Sequence, residues 1–178
     1  MAIHITSLGD RARRAPFASL PVVSPVGTSF DDFYRLHADA VRRALCLALA
    51  DIDLGAEAAD EAMARAYEHW AEVGTYANPA GWAYRVGLNW ARSRQRRNRW
   101  RDRRAVPDRA VPTVPGDLEL GQALDGLSTD HRAVVVCRYY LDWSVETTAT
   151  ALGIPEGTVK SRLARALETL QQELEDQR

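Results

Sequence analysis

The chain has 178 residues, 46% of them hydrophobic and 26% charged, which suits one domain of ordinary size or two small ones in a soluble, globular protein. No apolar run approaches the roughly 18 residues a membrane span needs, so neither a transmembrane segment nor a membrane partner is expected. A net charge of -1 argues at first against a nucleic-acid binder, but the arginines crowd between Arg85 and Arg104, so the basic footprint is local.

Cys46 and Cys137 stand far apart with no second Cys or His at ligand spacing, and His4, His37, His69 and His131 form no ligand pair. No disulfide framework, metal site or cofactor is expected, and a reducing cytoplasm is the natural compartment.

Residues 1–29 carry Pro16, Pro21 and Pro25 with several serines and no sustained period, which reads as a flexible extension. Arg11, Arg13 and Arg14 are not followed by the long apolar core of a signal peptide. From Phe30 a helix opens after Ser29 and ends near Asp51, with Phe33, Ala40, Val41, Ala44 and Ala48 on one side. A second, alanine-rich helix is expected from about Ala56 to Trp70, with Ala59, Met63, Ala66, Tyr67 and Trp70 on its apolar face.

Val73 to Asn78 reads as a loop, and Asn78-Pro79 supplies a cap and a first-turn proline for the next helix. There Trp82, Ala83, Val86 and Trp90 share the apolar face, while Arg85, Arg92, Arg96, Arg99 and Arg103 form a second stripe. Such a stripe repels itself unless something anionic neutralises it. Arg94 and Arg97 fall on the formerly apolar side, so the helix is expected to leave the body of the domain after Ser93.

Ala105 to Gly116, with three prolines and no period, sits within an expected linker over 100–117. The C-terminal domain, 118–178, begins at Leu118, and Ser128 caps a helix running to about Tyr140. Ala133 to Cys137 has strand propensity, yet Val134, Cys137 and Leu141 keep helical spacing. Next, Val145, Thr148, Ala149 and Leu152 repeat at helical spacing until Gly153, where a helix end favours positive φ. With Pro155 in its first turn, the following helix puts Val159, Leu163, Ala166, Leu167, Leu170 and Leu174 on one stripe. Thr158, Ser161 and Arg165 point the other way, and Lys160 and Arg162 flank them. Two short helices around a glycine turn make a helix-turn-helix, whose second helix usually enters the DNA major groove.

The run LGIPEGTVKSRLARALETL resembles the second helix of region four in bacterial extracytoplasmic-function (ECF) RNA polymerase sigma factors of the sigma-70 family. NPAGWAYRVGLNWARSRQRR resembles the end of sigma region two. The resemblance covers 30–99 as region two and Leu124 to Leu174 as region four. It implies an all-α fold of two small helical domains joined by a flexible linker.

It also implies a factor that binds core RNA polymerase and directs it to promoter DNA, with an anti-sigma factor as a further candidate partner. Region two would engage and help melt the minus-ten element, and region four would read the minus-thirty-five element. Lys160, Ser161, Arg162 and Arg165 match the DNA-facing positions. Lys160 and Arg165 are the candidates for guanine edges, and Thr158 and Arg162 for phosphate. In region two, Tyr76 and Asn78 lie in the loop that captures unstacked bases, Asn89 follows on the helix, and Arg85, Arg92 and Arg96 would hold backbone. Trp82 and Trp90 fit core packing better than base stacking.

Glu57, Asp60 and Glu61 occupy the acidic run that meets polymerase in the family, commonly A-E-D-L-V-Q-E. Aligned so, Ala58 stands where an acid is usual, Glu61 at the usual glutamine and Ser93 where many members have Asp. Ala58→Asp would therefore be expected to strengthen polymerase binding. No catalytic residue is assigned, and 30–99 has no phosphate loop, metal cluster or activated nucleophile that would suit a DNA-processing enzyme. The competing reading is a two-domain helix-turn-helix regulator that does not hold polymerase.

Overall fold

The structure, a computed structural model, describes residues 29–101, 124 and 126–176. The extension at 1–28, the linker stretch at 105–116 and Arg103 lie outside the described residues, as do the side chains of Arg99 and Leu174. The described residues form seven α-helices and one π-helical turn, with no strand among them. No helix among them is long and apolar enough to cross a membrane.

Helix α1, Phe30–Leu49, starts where Ser29 accepts the Asp32 N–H at 3.2 Å and donates its hydroxyl to the Asp32 carboxylate at 2.7 Å. Such reciprocal capping satisfies an orphan donor, and Asp31 and Asp32 complement the positive end of the helix dipole. The chain reverses within two residues. Ala50 takes a left-handed φ of 50°, and Asp51 caps α2, Ile52–Glu68, by accepting the Leu54 N–H at 2.9 Å. That cap starts α2 four residues before the expected Ala56. The second helix also stops short of Trp70, which opens the single turn α3, Trp70–Val73.

Alanines let α1 and α2 pack closely with α4, Pro79–Arg101. Ala44, Ala48, Ala58, Ala62, Ala66, Ala83 and Ala91 are all fully buried. The contact is tightest at Gly55, where an added Cβ would lie 2.5 Å from the Cys46 Cα, and at Gly87, where it would lie 2.6 Å from a Leu45 methyl. Phe30, Phe33 and Trp70 close the open end with tilted and edge-on ring contacts.

Helix α5, Thr129–Val135, begins at the expected Ser128 cap and passes into the π-helical turn Val136–Tyr140. The Leu141 N–H bonds to the Val136 carbonyl at 2.9 Å, the five-residue spacing of that turn. Ala133 to Cys137 is helical, as expected, and every residue in it is buried. Burial on all sides explains its strand-like composition. Helices α6, Val145–Leu152, and α7, Glu156–Asp176, complete the chain.

One buried cluster runs through both halves, from Phe33 and Val41 through Leu88 to Val135, Trp143 and Leu170. Helix α1 packs on α5 and the π turn, and α4 packs on α6.

Candidate nucleic-acid interface

The helix-turn-helix is built from local signals. Ser144 caps α6 by accepting the Thr147 N–H at 2.9 Å, and Gly153 ends it at φ 67°. The Ile154 N–H then returns to the Ala149 carbonyl at 3.1 Å, while the Ile154 side chain joins Val134, Ala149 and Val159 in a small core. This glycine-terminated motif fixes the direction in which the chain leaves α6. Pro155 sits one residue before α7 rather than inside its first turn, and its carbonyl accepts the Thr158 and Val159 N–H groups at 2.9 and 3.1 Å.

Along α7 the expected division of faces holds. Val159, Ala166 and Leu170 are buried, Leu163 and Leu167 partly so, and Lys160, Ser161 and Arg165 are exposed. Lys160 reaches Glu156 only at 3.9 Å, the Ser161 hydroxyl donates to the Thr158 carbonyl at 3.1 Å, and Arg165 makes no ion pair among the described residues. Lys160 and Arg165 therefore present cationic groups that nothing strong holds. Thr158 and Arg162 are half-buried, and Arg162 bonds to Asp130 at 2.7 Å.

The region-two residues sit on and before α4. The Tyr76 hydroxyl donates to Glu72, and this bond, with a lesser contribution from desolvation, pushes the phenol pKa upward. Asn78 caps α4 by accepting the Gly81 N–H at 2.8 Å, as expected, while its amide nitrogen is buried without a partner. Arg85 is half-buried against Gly153, where an added Cβ would lie 3.4 Å from its guanidinium. Asn89 and Arg96 are exposed, Arg96 donating to Ser93 at 3.0 Å. Arg92 bonds to Asp130. Trp82 and Trp90 are partly buried against the core, in keeping with a packing role.

Asp130 was not singled out by sequence, yet it joins the two arginine sets, holding Arg92 of α4 with one oxygen and Arg162 of α7 with the other. In sequence it is merely an acid in a first helical turn, the commonest place for one.

The three acids of α2 expected to meet polymerase are each paired within the chain. Glu57 bonds to Arg94 at 2.9 Å, Asp60 to Arg42 at 2.5 Å and Glu61 to Arg65 at 2.7 Å. Two expectations are corrected here. Arg94 does not mark departure from the domain, because its pair with Glu57 of α2 ties α4 to α2 at that point, while its guanidinium also sits 5.2 Å over the ring of Trp90 one turn earlier on α4 itself. Ala58 is not an empty place in an acidic surface. It is fully buried, and its carbonyl lies 3.0 Å from where a Gly87 Cβ would be.

A family model described as Sigma-70, region 4 matches residues 117–170, the segment containing this helix-turn-helix. ECF RNA polymerase sigma factor SigL of Mycobacterium tuberculosis is 33% identical over 154 residues, covering 80% of this chain and 87% of that protein. The chain belongs to the ECF RNA polymerase sigma factors. RNA polymerase sigma-E factor of Streptomyces coelicolor is 32% identical over 156 residues, with 82% and 85% covered. The fold also matches the sigma factor RpoE of Bartonella quintana, solved in complex with the anti-sigma factor NepR. That match has a TM-score of 0.71 at 23% identity, over 84% of this chain and 98% of that one. As an ECF sigma factor the chain acts in transcription initiation, in a family of non-catalytic transcription factors.

Proposed function

We propose that this ECF sigma factor binds core RNA polymerase and reads a bipartite promoter. Region four, the α6–α7 unit, reads the minus-thirty-five element in duplex form, and region two engages and helps melt the minus-ten element. The observation that carries the reading is the cationic outer face of α7. Lys160 and Arg165 project from a helix whose opposite face is anchored by Val159, Ala166 and Leu170. Either cation can bond guanine O6 and N7 from the major groove, while Thr158 and Arg162 bear on phosphate and set register, with Ser161 on the same DNA-facing side.

In region two, Tyr76 and Asn78 contact an unstacked base, Asn89 supports it, and Arg85, Arg92 and Arg96 hold the strand backbone. Glu57, Asp60 and Glu61 face polymerase arginines, exchanging their intrachain partners for those of the enzyme. Each present pair is partly exposed and of the kind worth about 0.2–1 kcal/mol, so such an exchange costs little. The working compartment is the cytoplasm, and an anti-sigma factor is a natural further partner, as for the Bartonella protein.

The test is transcription with purified core polymerase on promoters selected by this chain, comparing the parent with Arg165→Ala. The variant is expected to lose promoter-directed initiation by about 1–3 kcal/mol while keeping helix content and polymerase binding. Full activity of Arg165→Ala would reject α7 as the reading face, and absence of polymerase binding by the parent would reject the sigma mechanism.

A further inference from the structure

The aromatic rings at the open end of region two form a surface that none of the proposed DNA or polymerase contacts uses. Phe30, the first residue of α1, meets Tyr67 of α2 edge-on with ring centroids 5.1 Å apart, Tyr34 tilted at 5.9 Å and Trp70 edge-on at 5.5 Å. Tyr34 is 45% exposed and Tyr67 67%. A single exposed tyrosine is ordinary, but rings in contact around one centre make a contiguous apolar patch that also carries two phenol hydroxyls. Asp31 and Glu68, the sequence neighbours of Phe30 and Tyr67, are exposed and form no ion pair among the described residues.

The chain itself brings a matching segment to this place. Residues 15–28 lead into Ser29, which caps α1 beside Phe30. They hold Pro16, Pro21 and Pro25 among mostly apolar residues with no charge, and Arg11, Arg13 and Arg14 stand just before them. Prolines at that density disfavour helix and sheet and favour polyproline II, which aromatic surfaces bind by packing against proline rings while tyrosine hydroxyls donate to its free carbonyls. At about 3.1 Å per residue such a segment spans about 40 Å, ample to turn back and cross rings that lie side by side.

We propose that residues 15–28 fold back over Phe30 and seat their prolines on Tyr34 and Tyr67, with Arg11, Arg13 and Arg14 reaching the acids Asp31 and Glu68. The occupant is a segment of the same chain because a short tether supplies a local concentration of order millimolar. A contact with a Kd of about 0.1–1 mM, too weak to persist between molecules at micromolar concentration, then stays seated for roughly half to nine-tenths of the time.

The experiment uses the full chain without polymerase. Acetylation by N-acetylimidazole is followed at each tyrosine by peptide mass spectrometry, with half-buried Tyr139 on the π turn as the internal reference. One variant carries Pro16→Ser, Pro21→Ser and Pro25→Ser together, which removes the polyproline preference and leaves every described residue intact. The other carries Tyr34→Ala and Tyr67→Ala, both at exposed positions, and its chymotryptic cleavage after Phe17 is compared with the parent's.

The proline variant is expected to be acetylated about two- to tenfold faster than the parent at Tyr34 and Tyr67, the range set by the seated fraction, with Tyr139 unchanged. The tyrosine variant is expected to be cut after Phe17 faster by a similar factor. Parent rates should not change on dilution. The proposal is overturned if either variant behaves as the parent, or if Tyr139 speeds up as much as Tyr34 and Tyr67, which marks a general loosening of the fold. Parent rates that rise on dilution place a second copy's segment on the rings and overturn the intramolecular seat.

Discussion

Ala58→Asp, which the family's acidic run suggests as a gain in polymerase affinity, is expected instead to unfold region two. Ala58 has no exposed surface, and its helix is pressed against α4 where Gly87 meets the Ala58 carbonyl. A carboxylate there has no water and no cation in line with it, so it stays protonated in the folded state, with its pKa raised by desolvation. Holding an ordinary aspartate protonated at pH 7 costs about 4 kcal/mol, and forcing the extra atoms into a packed site costs about 1–3 kcal/mol more. Against a total stability of about 5–15 kcal/mol this is enough to leave much of the protein unfolded. The sign of the pH dependence is fixed: above about pH 4 the folded state binds more protons than the unfolded one, so the variant weakens as pH rises. Urea unfolding across that range should show a deficit that is small near pH 4 and grows toward neutrality. Ala64→Asp, exposed on the same helix, should show no such trend. Parent-like stability of Ala58→Asp at pH 7, or tighter polymerase binding by it, would refute the placement of Ala58 in the core.

Gly55→Ala should lower stability by about 1–3 kcal/mol in denaturant titration despite its better helix propensity, because the obstacle is the Cys46 backbone, which cannot rotate away. Burial depresses the His37 pKa, and its Nδ1 lacks a partner beside the Phe33 ring. The unfolded chain therefore takes up the proton first, and stability should fall on acidification below about pH 6.5, a loss that thermal melts of His37→Leu should lack. Burial also pushes the thiols of Cys46 and Cys137 upward, so native protein should resist iodoacetamide and react at both only after denaturation.

The elements that could be read from sequence are those whose signals are local. Ser29, Asn78, Ser128 and Gly153 each act within a few residues on backbone groups of their own helix, and each does so in the structure. The start of α2 was missed because Asp51, an equally local cap, stands beside a second plausible boundary at Gly55. The face of Ala58 was misjudged for a different reason. A small residue in an alanine-rich helix fits core and surface alike, and only α4, supplied from far along the chain, decides between them. Arg94 is a similar case, since its apparent exile from the apolar stripe is reversed by Glu57 on another helix.

The site divides along the same line. The outward face of α7 follows from the period of its own apolar residues, whereas the contacts of Arg85, Arg92 and Arg162 depend on groups with ordinary local readings. Asp130 passes for a helix-dipole acid, Gly81 for an indifferent residue in a first turn, and Trp143 for a loop aromatic. What joins them is the packing of α6 on α4, a contact between segments separated by the whole linker. Energetics explain why such a contact can coexist with DNA binding. A fully buried ion pair would cost several kcal/mol to break, but partly exposed pairs such as those at Asp130 contribute about 0.2–1 kcal/mol each. A DNA backbone offers many phosphates to the same arginines and gains further from counterion release. Pairs of this strength yield when phosphates compete for the same arginines, which a fully buried pair would not do.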